Sequence, residues 1–290
     1  MKSNLTDLQE CFTRRRILTS NKEHPIIEKA AAFAAFFVCD FCVQYIFDFI
    51  LSKVYCIISP MSTVAMTIIG SILIGYFLGC INLSYIISRI KGFDIRKYGS
   101  GNAGASNVMI VIGKKVGAFV AIFDILKAFL AVKLAGLCFF GAVVGDLNYA
   151  GCIAGASAII GHIMPFYMNF RGGKGLAAFG GTLLAVDYRL FFVLFIISLF
   201  IAIITDYICF VPISMAVVVP LSVGMAHDSY VPTLILSVSS VAILCKHIEN
   251  IKRIKAGEEL RFHFLWKRGD EAERFGIIDD GKDIFSHEIK

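Results

Sequence analysis

The sequence predicts an all-α, polytopic integral membrane protein, and three observations carry that class. Of the 290 residues, 57% are hydrophobic and 17% charged, whereas a soluble domain is about half apolar and about a quarter charged. The apolar residues run on in long segments instead of recurring as one stripe of an amphipathic helix. The charged residues collect between those segments, with the basic ones in alternate connections.

Taken in order, the first 29 residues are polar and charged, and Ala30–Leu51 follows as an extra N-terminal transmembrane helix despite Asp40 and Asp48. It begins too late and runs too long for the apolar core of a cleaved signal. Val64–Ile90, Val116–Phe140, Tyr149–Asn169, Leu190–Thr205, Tyr207–Met225 and Tyr230–Cys245 are long apolar runs. Lipid offers no partner for backbone polar groups, so runs of about 17–25 such residues cross as helices. Leu176–Val186 is shorter and reads as a thin or tilted span. The chain then divides into an N-terminal extension (1–60), a membrane domain (61–259) and a charged tail (260–290) that reads as solvated and cytoplasmic.

A net charge of +6 raises the question of nucleic acid, but the charge lies in short connections, at Arg14–Arg16, Lys91–Lys115, Arg171–Lys174 and from Lys246 onward. Gly141–Asn148 and Ala226–Ser229 contain no Lys or Arg. Positive loops stay inside. With the basic loops placed in the cytoplasm, the strongly biased connections alternate without conflict, and no nucleic-acid partner is expected. Of the nine cysteines, Cys39, Cys42, Cys80, Cys138, Cys152 and Cys209 sit inside apolar runs. They read as small packing residues, with no disulfide framework or metal site expected.

Three inside loops and one buried pair carry the chemistry. Gly99-Ser-Gly-Asn-Ala-Gly-Ala-Ser-Asn107 holds Gly99, Gly101 and Gly104 beside Ser100, Asn102, Ser106 and Asn107. Glycines at positive φ can turn successive N–H groups into an anion-binding concavity, although such a composition also makes an ordinary turn. Gly161-His162-x-x-Pro165 leads to Phe170-Arg171-Gly172-Gly173-Lys174-Gly175, two cations interleaved with three glycines. It is not a Walker A loop, because Met168 stands at its first glycine and Gly175 at its Ser/Thr. Lys246-His247-Ile-Glu-Asn250-Ile-Lys-Arg253 places His247 and Asn250 on one helical face. Asp124 and Lys127, also at i and i+3, lie within an apolar run, where charges are costly and either pair internally or serve a ligand.

These strings, with Asp94-Ile-Arg-Lys-Tyr-Gly-Ser-Gly-Asn102 ahead of them, resemble in order and approximate spacing the bacterial acyl-phosphate:glycerol-3-phosphate acyltransferases (PlsY type). The likeness covers about Thr67 to Glu259. It implies a seven-helix core with its active site at the cytoplasmic face of the cell membrane. The implied reaction moves a fatty acyl group from acyl phosphate to the sn-1 hydroxyl of glycerol 3-phosphate, giving lysophosphatidic acid and phosphate without cofactor or metal. By the same resemblance Ser100, Lys174, His247 and Asn250 surround glycerol phosphate. Gly99, Gly101, Asn102, Gly104, Ser106, Asn107, Lys127, His162, Arg171, Gly172, Gly173, Gly175 and Glu259 complete the substrate-binding set. The family is thought to use the phosphate of glycerol phosphate itself as proton acceptor.

The chain departs from the family at one telling place. The family's first motif continues Thr-Asn-x-x-Arg, and here the positions are Ser106, Asn107 and Ile110. Asn82 and Ala128 replace a usual proline and glycine. Either another cation such as Arg89 or Arg96 substitutes for the arginine, or this is a divergent member with weakened or altered activity, in which Ile110→Arg should lower the KM for glycerol phosphate. Two rival classes are a transporter of a phosphorylated solute, which wants an internal repeat that is not evident, and an acyltransferase with a His-x4-Asp pair. Each of the six histidines lacks an Asp five positions on.

Overall fold

The structure is a computed structural model that describes residues 64–144 and 147–265, with short stretches of 269–283. Residues 60–290 form one compact unit. Ala30–Leu51, Arg14–Arg16, Cys39 and Cys42 lie outside the described residues.

The helices in chain order are α1 (Val64–Cys80), α2 (Leu83–Ile90), α3 (Ala105–Val111), α4 (Lys114–Cys138), α5 (Tyr149–Ile163), α6 (Leu176–Val186), α7 (Tyr188–Thr205), α8 (Phe210–Ala226) and α9 (Tyr230–Ala256). Two-residue strands β1 (Val143–Val144) and β2 (Leu147–Asn148) pair antiparallel before α5. Val64–Ile90 (α1 with α2), Tyr149–Met168, α7 and α9 are each long and apolar enough to cross a membrane. On α7 only Leu194 and Ala202 are buried, while Phe192, Phe195, Ile196, Phe200 and Ile204 face outward. Apolar surface on that scale belongs against lipid, and the protein is a helical membrane protein. At 11 residues α6 rises about 16 Å, so a crossing there needs a locally thinned bilayer. It is buried on one side against α4 and α5.

The run expected as one span from Val64 is interrupted at Ile81–Asn82. The Asn82 side chain caps α2 by accepting from Tyr85 N at 2.9 Å. Carbonyls released by a break need partners inside lipid. Tyr167 Oη donates to Cys80 O at 2.9 Å and Lys127 Nζ to Ile81 O at 2.6 Å. Close packing of α1 on α5 supports the break. A Cβ on Gly75, Gly79 or Gly161 would run into the backbone of Ala154, Ala158 or Tyr76, the small-residue contact of membrane helices.

The tail corrects the sequence reading most. Leu260, Phe262, Ala272 and Ile277 are buried, so the described part of 260–290 is anchored by packed apolar side chains, with Arg261, Leu265 and Glu273 exposed between them. Phe262 N donates to Asp206 O at 2.7 Å, and His263 reaches the Asp206 carboxylate through its backbone N at 3.1 Å and Nδ1 at 3.0 Å. The high density of charge in this segment conceals four widely spaced apolar positions. Cys80, Cys152 and Cys209 are buried thiols within the apolar packing.

Candidate active site

Four segments meet at one end of the bundle: residues 92–107, residues 165–175, the last turns of α9, and Glu259–Leu265. Each is tied to its neighbours by side-chain hydrogen bonds. Arg96 grips Asp94 through Nε (3.0 Å) and Nη2 (2.7 Å) and donates from Nη1 to Met168 O at 2.8 Å. The guanidinium holds the Asp94 carboxyl below the usual carboxylate range.

Asn107 is fully buried and organises the first loop from within. Its Oδ1 accepts from Ser100 N at 2.8 Å, and its Nδ2 lies 3.0–3.1 Å from the carbonyls of Ile95, Tyr98 and Asn102. Both ends of the amide are occupied, so Asn107 shapes the loop and does not meet substrate. Gly99, at φ 58°, admits this amide, since a Cβ there would meet Asn107 Oδ1. The expected concavity of N–H groups is not formed by Ser100 and Gly101: the first donates to Asn107 and the second to Tyr98 O at 3.0 Å.

The second loop departs from expectation in the same way. Gly172 N donates to Ile163 O and Gly173 N to His162 O, each at 3.0 Å, so both close the end of α5. Lys127 Nζ contacts Asp124 Oδ1 (2.8 Å), Ile81 O (2.6 Å) and His162 Nδ1 (3.0 Å). The ammonium donates to Ile81 O, pairs in charge with the Asp124 carboxylate and lies against the His162 ring. Lys127 is therefore a structural cation, buried with Asp124, and the pair gives no support to a transport path. The His162 ring held by this pair fills the space beside Gly173, where a Cβ would collide with it. Gly173→Ala should cost at least about tenfold in acyl transfer, because overpacking displaces the adjoining Lys174. Turnover in membranes, with thermal stability measured alongside, checks this; unaltered turnover would show that the loop tolerates the shift.

The side chains that meet at the site's centre are Lys174, His247, Asn250 and Glu259. Lys174 Nζ donates to Asn250 Oδ1 at 2.7 Å, and Asn250 Nδ2 donates to Glu259 Oε1 at 2.6 Å. Burial pulls the Lys174 pKa down, with the Glu259 carboxylate acting against it. His247 Nδ1 donates to Ile243 O at 2.7 Å, which leaves Nε2 of the neutral ring as an acceptor.

Two cavities share Ser100, Asn102 and Lys174 as common wall. One, of about 960 Å³, is a basic bowl whose cations are Arg96, Lys97, Arg171, Lys174, Lys246 and Arg253; Gly101 and Gly172 also line it. The other, of about 360 Å³, runs from Ser106, His162, His247, Asn250 and Glu259 to an apolar part between α6, α7 and α8. Phe179, Leu183, Phe195, Met215 and Val219 form that part, and Gly104 and Gly175 line the cavity too. Of the expected site residues, Gly99, Asn107, Lys127 and Gly173 line neither cavity. Sequence reasoning missed the apolar cavity and the bowl residues Lys246 and Arg253. The available signal for Arg253 was its i+3 spacing from Asn250, the spacing that joins Asn250 to His247.

Fold and site together define a helical membrane protein in which a cationic bowl shares a wall with an apolar cavity. Comparison with known proteins specifies the class. The family profile described as glycerol-3-phosphate acyltransferase matches residues 69–257. A glycerol-3-phosphate acyltransferase of Macrococcus caseolyticus is 34% identical over 194 residues, covering 67% of this chain and 96% of that protein. One of Thermosipho melanesiensis is 38% identical over 195 residues, covering 67% and 92%. The crystal structure of PlsY, an integral membrane glycerol 3-phosphate acyltransferase, in its glycerol 3-phosphate form superposes with a TM-score of 0.62 at 30% identity, over 68% of this chain and 96% of that one. Its lysophosphatidic acid form gives 0.59 at 29% identity, over 67% and 94%. The chain belongs to the glycerol-3-phosphate acyltransferase family and is an acyltransferase by that membership.

Proposed function

We propose that the protein transfers a fatty acyl group from acyl phosphate to the sn-1 hydroxyl of glycerol 3-phosphate at the cytoplasmic face of the cell membrane. The observation that carries this reading is the junction of the basic bowl with the apolar cavity at Ser100, Asn102 and Lys174. A phosphorylated acceptor fits the bowl, a fatty chain fits the cavity, and the two react where the cavities meet.

His247 Nε2 accepts the hydrogen bond of the acceptor hydroxyl and orients it, and Lys174 and Asn250 fix its position. The hydroxyl oxygen attacks the acyl carbon. Charge developing on the carbonyl oxygen is met by the Lys174 ammonium and the Ser100 hydroxyl. The carbon–oxygen bond to phosphate then breaks, phosphate leaves with the electron pair, and the hydroxyl proton ends on a phosphate oxygen. The mixed anhydride is already activated, so the residues need only bind, orient and stabilise charge.

Purified protein supplied with acyl phosphate and glycerol 3-phosphate should give 1-acyl-glycerol 3-phosphate by mass spectrometry, and acyl-CoA should not replace the donor. Equal use of acyl-CoA, or a 2-acyl product, would contradict the assignment. The cytoplasmic orientation rests on the basic loops meeting at one end while Asp187 and His227, 3.5 Å apart, mark the other. A cysteine placed at Gly172 in a cysteine-free background should react only after the membrane is opened; labelling in intact cells would invert the orientation.

A further inference from the structure

We propose that Arg253 on α9 supplies the phosphate-binding guanidinium that position 110 does not, so that this chain builds its glycerol-phosphate subsite from the helix that also carries His247 and Asn250. The inference rests on the acyltransferase reading above and specifies which cation completes its site.

Position 110 cannot serve. Ile110 is fully buried in an apolar cluster with Ile95, Val108, Leu260, Ala272 and Ile277. Ala272 and Ile277 come from the segment beyond residue 257, where the family match ends. The C-terminal segment thus packs into the same cluster as the side chain that replaces the family arginine. Isoleucine at 110 and the packed tail are consistent with one another, whereas an arginine there would leave charge among them.

Three other cations near the first loop are engaged or misplaced, while Lys97, Arg171 and Lys246 line the bowl beside Arg253. Arg96 is held by Asp94 and by the carbonyls of Met168 and Arg171. Arg89 lies against the Tyr85 ring, 5.9 Å from its centroid, and lines neither cavity. Lys174 is bound to Asn250 at the junction itself. Arg253 differs from all three. Its Nη1 donates to Ser100 O at 2.7 Å, so the guanidinium sits against the loop that walls both cavities. Its side chain is 31% exposed, and Glu249 Oε2 stands 3.9 Å from Nη2. Of five N–H donors, one is hydrogen-bonded among the described residues, leaving an edge of the planar fork for a phosphate. His247, Asn250 and Arg253 follow one another at intervals of three, so hydroxyl-orienting and phosphate-binding groups project from one helical face.

A staple between α9 and the Ser100 loop would explain the same hydrogen bond, and one substitution separates the two roles. In Arg253→Gln an amide N–H can still donate to Ser100 O, but the charge is gone. The KM for glycerol 3-phosphate should rise roughly tenfold or more, the loss expected for a charge-assisted hydrogen bond to a dianion. The KM for acyl phosphate and the thermal midpoint should stay near wild type, and Arg253→Lys should recover part of the affinity. Wild-type KM in Arg253→Gln would overturn the proposal and leave Arg253 a staple, as would a fall in kcat alone. Wild-type protein that acylates no glycerol 3-phosphate would remove the acyltransferase reading instead, and the inference with it.

Discussion

Lys174→Ala should lower kcat/KM for glycerol 3-phosphate acylation by about 10²–10³-fold, the scale of losing one positioned donor to developing charge. Three observations set that size. Lys174 lines both cavities at their junction. Its Nζ supplies the donor for Asn250 Oδ1 at 2.7 Å, and through Asn250 the contact extends to Glu259. Burial already pulls its pKa down, so an incoming phosphate dianion restores part of what desolvation costs the ammonium. Alanine removes the charge and leaves a buried amide oxygen without its donor. Lys174→Arg should retain only part of the activity, because a planar fork does not reproduce a point charge on Asn250. Steady-state kinetics in detergent or nanodiscs decides the matter. A loss below about threefold would reduce Lys174 to a helix-end anchor of the kind the positive-inside pattern predicts.

Ile110→Arg is expected to harm the protein and not to repair it. Sequence alone leaves both outcomes open, since the family carries arginine at this position. The side chain of Ile110 is fully buried with Val108, Leu260, Ala272 and Ile277. A guanidinium there either remains buried among these apolar side chains, at a cost on the order of several kcal/mol, or expels the C-terminal segment. The thermal midpoint should fall and the yield of inserted protein should drop, with no gain in glycerol-phosphate affinity. Limited proteolysis separates the two routes, because an expelled tail is cut early. A variant as stable as wild type with a lower KM for glycerol 3-phosphate would show that position 110 still faces the ligand.

Much of the fold was legible because lipid imposes long apolar runs and the loops between them carry a biased charge. The positions of α4, α7 and α8 follow from those runs to within a few residues, while α5 starts as expected but ends at Ile163, short of Asn169, and α9 runs past Cys245 to Ala256. The break at Ile81–Asn82 was not legible. It depends on Lys127 and Tyr167 satisfying carbonyls that a sequence reading assigns to a continuous helix. Asn82, one of the departures from the family pattern, caps the broken end and also donates to Ala103 O at 3.0 Å, tying it to the first loop.

The site was legible in its residue types and less so in the division of labour among them. Lys174, His247, Asn250 and Glu259 do come together. Gly172, Gly173 and Asn107 look from spacing like phosphate ligands, yet their polar groups are taken by carbonyls and amides of the protein itself. Spacing states which groups are present and not which are already bonded. The apolar cavity was hidden for a related reason: Phe179, Leu183, Met215 and Val219 have the composition of any packed helix, and only their arrangement leaves a space.

The central claim is that the basic bowl and the apolar cavity are two halves of one acyl-transfer site. Its most direct test is release of inorganic phosphate from a long-chain acyl phosphate by the purified protein, followed with and without glycerol 3-phosphate. Release should depend on glycerol 3-phosphate, match the lysophosphatidic acid formed mole for mole, and disappear in Lys174→Ala. Phosphate released at the same rate without the acceptor, or no release under any condition, would contradict the account.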